Sequence, residues 1–188
     1  MIILKRLVIG MDIDGVIVDL GTAMLPLLSE VCARPVAYHD LCSWDLAEAL
    51  RISHATIDHA WKQLFKSDAL RLAPPIEGAI NALSLLNEHE IWLVTSRPLS
   101  SQELTLSWLH DNKIRYNQIV FNRRGDKLSV GPKFDVFVED FLDEATTIAE
   151  AGIFTILFDQ PWNQALKLPA NCKRAYTWDD VLQMINSL

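Results

Sequence analysis

Long apolar runs, Cys-x-x-Cys pairs, glycine-rich phosphate loops and an excess of basic charge are all missing from this 188-residue chain, and each absence removes a class of protein. No apolar run approaches the ~20 residues that cross a bilayer, and Met1 to Arg6 puts its charges after its apolar residues, unlike a leader. Three cysteines, Cys32, Cys42 and Cys172, make an odd set without metal-knuckle spacing, so no disulfide framework is expected and a reducing cytoplasm fits best. With 17 basic against 24 acidic side chains the formal charge is −7, which argues against broad electrostatic binding to nucleic acid or an anionic membrane. Neither a phosphate-loop nor a dinucleotide-binding glycine pattern occurs. The histidines, at 39, 54, 59, 89 and 110, never fall at the i, i+4 spacing of a helical metal pair.

What is present is half hydrophobic. A chain of this length buries roughly 70% of its unfolded surface, enough for one core without staples. Leu7 to Met11 reads as a buried strand of the parallel kind, closed by an acidic turn. Leu20 to about Leu72 is helical throughout, with starts at Ser43, Ser53 and Thr56, until Pro74-Pro75 stops it. Alternation follows: helix from Ile76 to Glu88, strand Ile91 to Thr95, helix Ser101 to Asn112, and strands Ile119 to Phe121 and Val136 to Val138. Helix Asp143 to Ala151, strand Phe154 to Phe158 and a helix from Asp179 to Ser187 complete it. This pattern predicts an α/β fold with a doubly wound parallel sheet, comprising residues 1–19 and 73–188, interrupted after its first strand by a helical insertion at 20–72. Ligands of such sheets bind at the carboxyl ends of the strands, so residues just past strand ends carry the chemistry.

Three strand ends stand out. The first, Asp12-Ile13-Asp14-Gly15-Val16, sets alternating carboxylates at the mouth of a buried strand, where they repel unless a cation or proton intervenes. Gly15 lets backbone N–H groups approach an anion, while a plain polar turn with Asp19 capping the next helix is the bland alternative. The second, Val94-Thr95-Ser96-Arg97-Pro98, offers two hydroxyls, with Ser100 or Ser101 available to cap the following helix. The third, Val138-Glu139-Asp140, is again acidic, with Asp143 expected as a helix cap. Two acidic strand ends facing one crevice call for a hard divalent cation with oxygen ligands.

Asp12-Ile-Asp14-Gly-Val, Thr95-Ser96, a downstream lysine and Glu139-Asp140, in that order, resemble the four motifs of the haloacid dehalogenase superfamily of phosphohydrolases. The match runs over nearly the whole chain, and the insertion stands where that superfamily carries a helical cap. Thr-Ser-Arg-Pro and the small cap look most like the 5′(3′)-deoxyribonucleotidase branch. The resemblance implies an aspartyl-phosphate on Asp12, general acid/base work by Asp14, and Mg²⁺ held by the Asp12 carboxylate, the Asp14 carbonyl and Asp140. It implies phosphoryl binding by Thr95, Ser96 and a lysine. Lys127, after Asn122-Arg-Arg-Gly-Asp, matches the branch better than Lys133, which follows Gly131-Pro132 and reads as the start of a strand.

The implied substrate is a small phosphate ester, first a nucleoside monophosphate. Trp44 and Trp61, with Phe65 and Tyr38, could stack on a base or belong to the core of the insertion. The same motifs suit a phosphatase or phosphotransferase for a sugar phosphate or another metabolite. They also suit a non-catalytic phosphate-binding module, although retention of Asp12 and Asp14 speaks against it. A homo-oligomer is compatible with the sequence. Phe158-Asp-Gln-Pro-Trp162-Asn163 is expected as a loop at the rim, with no chemical role assigned to it.

Overall fold

In a computed structural model, which describes residues 5–164 and 167–188, six parallel strands form one sheet in the order β3-β2-β1-β4-β5-β6. They are β1 (Val8–Met11), β2 (Glu90–Thr95), β3 (Gln118–Phe121), β4 (Val136–Glu139), β5 (Phe154–Phe158) and β6 (Cys172–Ala175). The central strand is apolar because both of its faces are covered: Ile9 and Met11 on one face are fully buried, and Gly10 on the other is buried too. Gly10 stands where a larger residue has no room, since a Cβ there would lie 2.2 Å from the Phe137 ring of neighbouring β4.

The strand order reverses at β1, which pairs with β2 on one side and β4 on the other. The chain windings therefore diverge there, and the carboxyl ends of β1, β2 and β4 open into a shared crevice. Helices α5 (Ala79–Leu85), α6 (Gln102–Asp111), α7 (Leu142–Glu150) and α8 (Trp178–Asn186) flank the sheet. Two of them are pinned by indoles: Trp108 Nε1 donates to the Ala73 carbonyl (2.8 Å) and Trp178 Nε1 to that of Val16 (3.0 Å).

Between β1 and α5 the described chain forms four α-helices, a single 3-10 turn at Tyr38–Asp40 and no strand: α1 (Leu20–Val31), α2 (Leu46–Leu50), α3 (His54–Leu64) and α4 (Asp68–Arg71). Asp19 caps α1, as expected, and Ser53 caps α3 by accepting from Thr56 N–H. These helices bury Met24, Leu28, Leu41, Ile57, Leu64 and Leu70 against one another, a cluster separate from the core around the sheet. The chain leaves and returns side by side: Asp19 N–H donates to Pro74 O (2.9 Å) and Ile76 N–H to Ile17 O (2.8 Å).

Some local expectations differ from the structure. Asp45 rather than Ser43 caps α2, because its carboxylate reaches the N–H groups of Ala47 and Glu48. Thr56 lies inside α3 and starts nothing. Asp143 sits in the first turn of α7, whose N-cap is Phe141, and Ser101 precedes α6 without a side-chain cap, its hydroxyl donating to Pro98 O. The helix expected from Ile76 begins only at Ala79, after Gly78 turns the chain at φ +83°. Strand β6 was not expected; Lys173 and Arg174 hide its pattern, as charge does on many short edge strands.

Candidate active site

Asp12 directly follows β1, and its N–H donates to Val138 O of β4 (3.0 Å), which fixes the two acidic strand ends beside each other. Lys127 reaches in from the turn after β3. Its Nζ lies 3.1 Å from Asp12 Oδ2 and 2.7 Å from Glu139 Oε2. The other Glu139 oxygen accepts the N–H groups of Asp140 (3.2 Å) and Phe141 (3.1 Å), so Glu139 is saturated by the protein itself. Lys133 is exposed and takes no part.

Asp12 and Asp140 are not saturated. Both side chains are buried, and each keeps one oxygen, Oδ1, without a hydrogen-bond partner. A buried carboxylate oxygen left this way is costly, which makes the pair a candidate seat for a cation. Ligand oxygens of Asp12, Glu139 and Asp140 lie within 4.8 Å of one another. Gly15, at φ +71°, completes the cradle, because a Cβ there would stand 2.1 Å from Asp140 Oδ2. Burial pushes the Asp12 carboxyl up to about 7, against the downward pull of Lys127 and with upward pushes from Glu139 and Asp14. Asp140 is raised well above the usual carboxylate range by burial first, then by Glu139 and Asp12. Burial works against the charge of Lys127, but Asp12 and Glu139 outweigh it and hold its ammonium above the usual lysine range.

Asp14 lines the same crevice and forms a two-pronged ion pair with Arg97. Nη2 lies 2.6 Å from Asp14 Oδ1 and Nε lies 2.9 Å from Oδ2. The guanidinium is fully buried, and its remaining arm donates to Thr105 Oγ1 (3.0 Å). Thr95, the last residue of β2, is buried with its hydroxyl oxygen accepting Arg97 N–H (3.1 Å), while Ser96 lines the cavity over Asp12.

That cavity encloses about 190 Å³. It continues past Asp14 and Trp44 into a hollow of about 410 Å³ that runs up among α1 to α3, past Met24, Leu41 and His54. Together they fall in the usual range of small-molecule sites, roughly 300–1,000 Å³. Trp61 and Phe65 line the inner cavity, as does Trp44, which stacks on Phe141 at 4.1 Å between ring centres. The Arg124 guanidinium covers Trp44 and Phe141, at 4.9 and 5.4 Å from their rings. Glu144 holds the adjoining turn by accepting Gly125 N–H.

The structure thus brings Asp12, Asp14, Ser96, Lys127, Glu139 and Asp140 to one crevice, with Thr95 buried at the end of β2. Arg97, Arg124 and Trp162 at the same crevice were given no role from the sequence. For Arg97 a signal existed: a cation one residue past Ser96, opposite a strand end with alternating carboxylates. Trp162 carried none, because its link to Asp140 is made only by the fold.

A 3-2-1-4-5-6 parallel sheet whose strand ends present acid, hydroxyl, lysine and acid to one crevice defines a phosphohydrolase of the haloacid dehalogenase type. Solved structures of that type share the fold. A haloacid dehalogenase family hydrolase from Deinococcus radiodurans R1, with bound phosphate and sodium, superposes at a TM-score of 0.71 with 14% identity, covering 98% of this chain and 96% of that one. The "putative HAD-hydrolase YfnB" from Bacillus subtilis, bound to magnesium, gives 0.62 at 16% identity over 97% and 100%. More particularly, residues 6–188 match the family described as 5′ nucleotidase, deoxy (Pyrimidine), cytosolic type C protein, and the chain belongs to that family. "Putative nucleotidase YqfW" of Bacillus subtilis (strain 168) is 30% identical over 95% of this chain and 93% of its own length. The protein is a phosphoric monoester hydrolase acting on nucleotides.

Proposed function

We infer that the chain hydrolyses deoxyribonucleoside monophosphates through an aspartyl-phosphate on Asp12, with Mg²⁺ as its cofactor. The observation that carries this reading is the asymmetry of Asp12: Oδ2 faces Lys127, while Oδ1, like Oδ1 of Asp140 in the same carboxylate cluster, is buried without a partner. Two unsatisfied, buried carboxylate oxygens form a hard oxygen donor set, which fits Mg²⁺. Asp12 and Asp140, with the Asp14 carbonyl, would hold it. When bound, it would neutralise phosphate charge and favour the ionised nucleophile.

The chain's own residues then divide the work. An Asp12 oxygen attacks phosphorus, the P–O bond to the nucleoside breaks, and the leaving oxygen takes a proton from Asp14. Water then attacks the aspartyl-phosphate, gives its proton to Asp14, and releases Asp12 and inorganic phosphate. The Asp14 pair with Arg97 must loosen before the first proton is donated, since both carboxylate oxygens are engaged in it. The Lys127 ammonium, Thr95 hydroxyl and Ser96 N–H bind the phosphoryl oxygens, where fixed charge lowers the barrier. Residues 20–72 serve as a cap, and the aromatic lining they bring favours a nucleoside over a bare sugar phosphate.

A panel of nucleoside and sugar monophosphates assayed with Mg²⁺ tests the reading. Deoxyribonucleotides should be turned over fastest, and Asp12→Asn and EDTA should each abolish turnover. Unchanged activity in Asp12→Asn would overturn the mechanism, and faster hydrolysis of sugar phosphates would overturn the substrate class.

A further inference from the structure

The segment after β5 is not a passive rim. Asn163, fully buried, donates its Nδ2 to the carbonyls of Asp140 and Phe158 (2.7 Å each), which ties the turn to the acidic strand end. Gln160 Nε2 donates to Gly15 O (2.8 Å), which ties the same turn to the loop after β1. Between these anchors the indole of Trp162 donates Nε1–H to Asp140 Oδ2 (2.8 Å).

Indole N–H is a donor only, and it meets a residue whose other oxygen has no partner. A hydrogen bond from a fixed ring sets the plane of the carboxylate and leaves Oδ1 as the oxygen available for coordination. Gly15 supports the same arrangement, because a Cβ there would crowd both Asp140 Oδ2 and Trp162 Cζ2 (3.1 Å). We propose that Trp162 is a positioning residue for the cation site: its N–H occupies one oxygen of Asp140 and turns the other toward the ion. This rests on the reading of Asp12 and Asp140 as Mg²⁺ ligands. Hydrogen-bond partners of ligands of this kind change metal affinity by roughly 10–100-fold when removed.

Two substitutions separate the hydrogen bond from the bulk of the ring. Trp162→Phe keeps a ring and loses the donor; Trp162→Gln loses the ring and keeps an N–H at a similar reach. Mg²⁺ is titrated calorimetrically into EDTA-treated, dialysed full-length protein, with Trp92→Phe as a control for loss of a tryptophan away from the site. Thermal melting of each variant confirms that it is folded. The wild type and Trp92→Phe should bind one Mg²⁺ with equal affinity, Trp162→Phe should bind about tenfold or more weakly, and Trp162→Gln should recover most of the loss. Affinity in Trp162→Phe within twofold of wild type, or Trp162→Gln no tighter than Trp162→Phe, overturns the positioning role. Absence of Mg²⁺ uptake by the wild type overturns the cation reading itself, a separate result. If Trp162→Phe does not fold, the comparison of Trp162→Gln with wild type decides: affinity reduced tenfold despite the retained donor overturns the proposal.

Discussion

Lys127 Nζ and Asp12 Oδ2 meet at 3.1 Å with both side chains almost wholly shielded from water, and Glu139 closes the far side of the lysine at 2.7 Å. Removing one partner of such a set leaves its neighbours as uncompensated buried charge, a loss of roughly 3–5 kcal/mol where it has been measured elsewhere. Lys127→Met should therefore lower the melting temperature of the cation-free protein as well as reduce kcat by about 10²–10³-fold, the loss that follows removal of one preorganised donor aimed at developing charge. Lys133→Met, at an exposed position, should change neither. Equal effects of the two substitutions in a thermal melt and a nucleotide assay would exclude the assignment of Lys127.

Cation-free stability should depend on pH in a direction set by Asp12. Its carboxyl stands at about 7 in the fold against an ordinary value of 3.8, so the contribution is fully present below about pH 4 and is lost as pH rises through about 7. Asp40, Asp135 and Asp180, each held below the usual range first by a backbone N–H, act in the opposite sense, and their contribution is lost only under acid conditions. Between pH 5 and 8 the buried site acts together with His54, raised by its hydrogen bond to Asp45, and against His89, lowered by burial; the melting temperature in EDTA should fall with rising pH, and Asp12→Asn should flatten that fall. Saturating Mg²⁺ should restore stability most at the alkaline end, since the ion competes with the proton. A melting temperature that rises across this window in EDTA would contradict the placement of Asp12.

How much of this was legible in the sequence follows from what each residue must satisfy. The strands carrying Asp12, Thr95 and Glu139 are apolar runs ending in polar residues, and a parallel sheet imposes that pattern regardless of context. The acid, hydroxyl and acid strand ends were legible for the same reason, whereas the lysine between them was placed only through the resemblance to the haloacid dehalogenase motifs. Trp162 was not, since only the fold brings its indole to Asp140, whereas Arg97, next to Ser96, carried a signal in its charge but not the identity of its partner. Edge strand β6 escaped because burial, the signal that marks β1, is halved at an edge.

Trp44 offers a test of what the aromatic lining recognises. It stacks on Phe141 under Arg124 and faces both hollows. If a nucleobase is held there, Trp44→Ala should raise KM for a nucleoside monophosphate about 10–100-fold, the equivalent of roughly 1–3 kcal/mol of stacking. Inhibition by inorganic phosphate, which carries no base, should be unchanged. A matching loss for phosphate would mean that the substitution disturbs the phosphoryl site instead.

Arg97 poses the sharpest question about proton transfer. Its pair with Asp14 uses both carboxylate oxygens, yet leaving-group protonation requires that same carboxyl to carry a proton. The pair therefore places Asp14 accurately and also opposes its first task. Arg97→Met frees Asp14 from the pair but removes its anchor, and because the guanidinium is fully buried and also bonded to Thr105, the site loses order as well as charge. The net effect should be a fall in kcat of about 10²-fold for a nucleoside monophosphate, whose alkoxide leaving group needs a positioned acid. Hydrolysis of p-nitrophenyl phosphate, whose phenolate leaves without protonation, should suffer much less. A ratio of the two rates unchanged from wild type would show that Arg97 supports the site as a whole and does not act through Asp14.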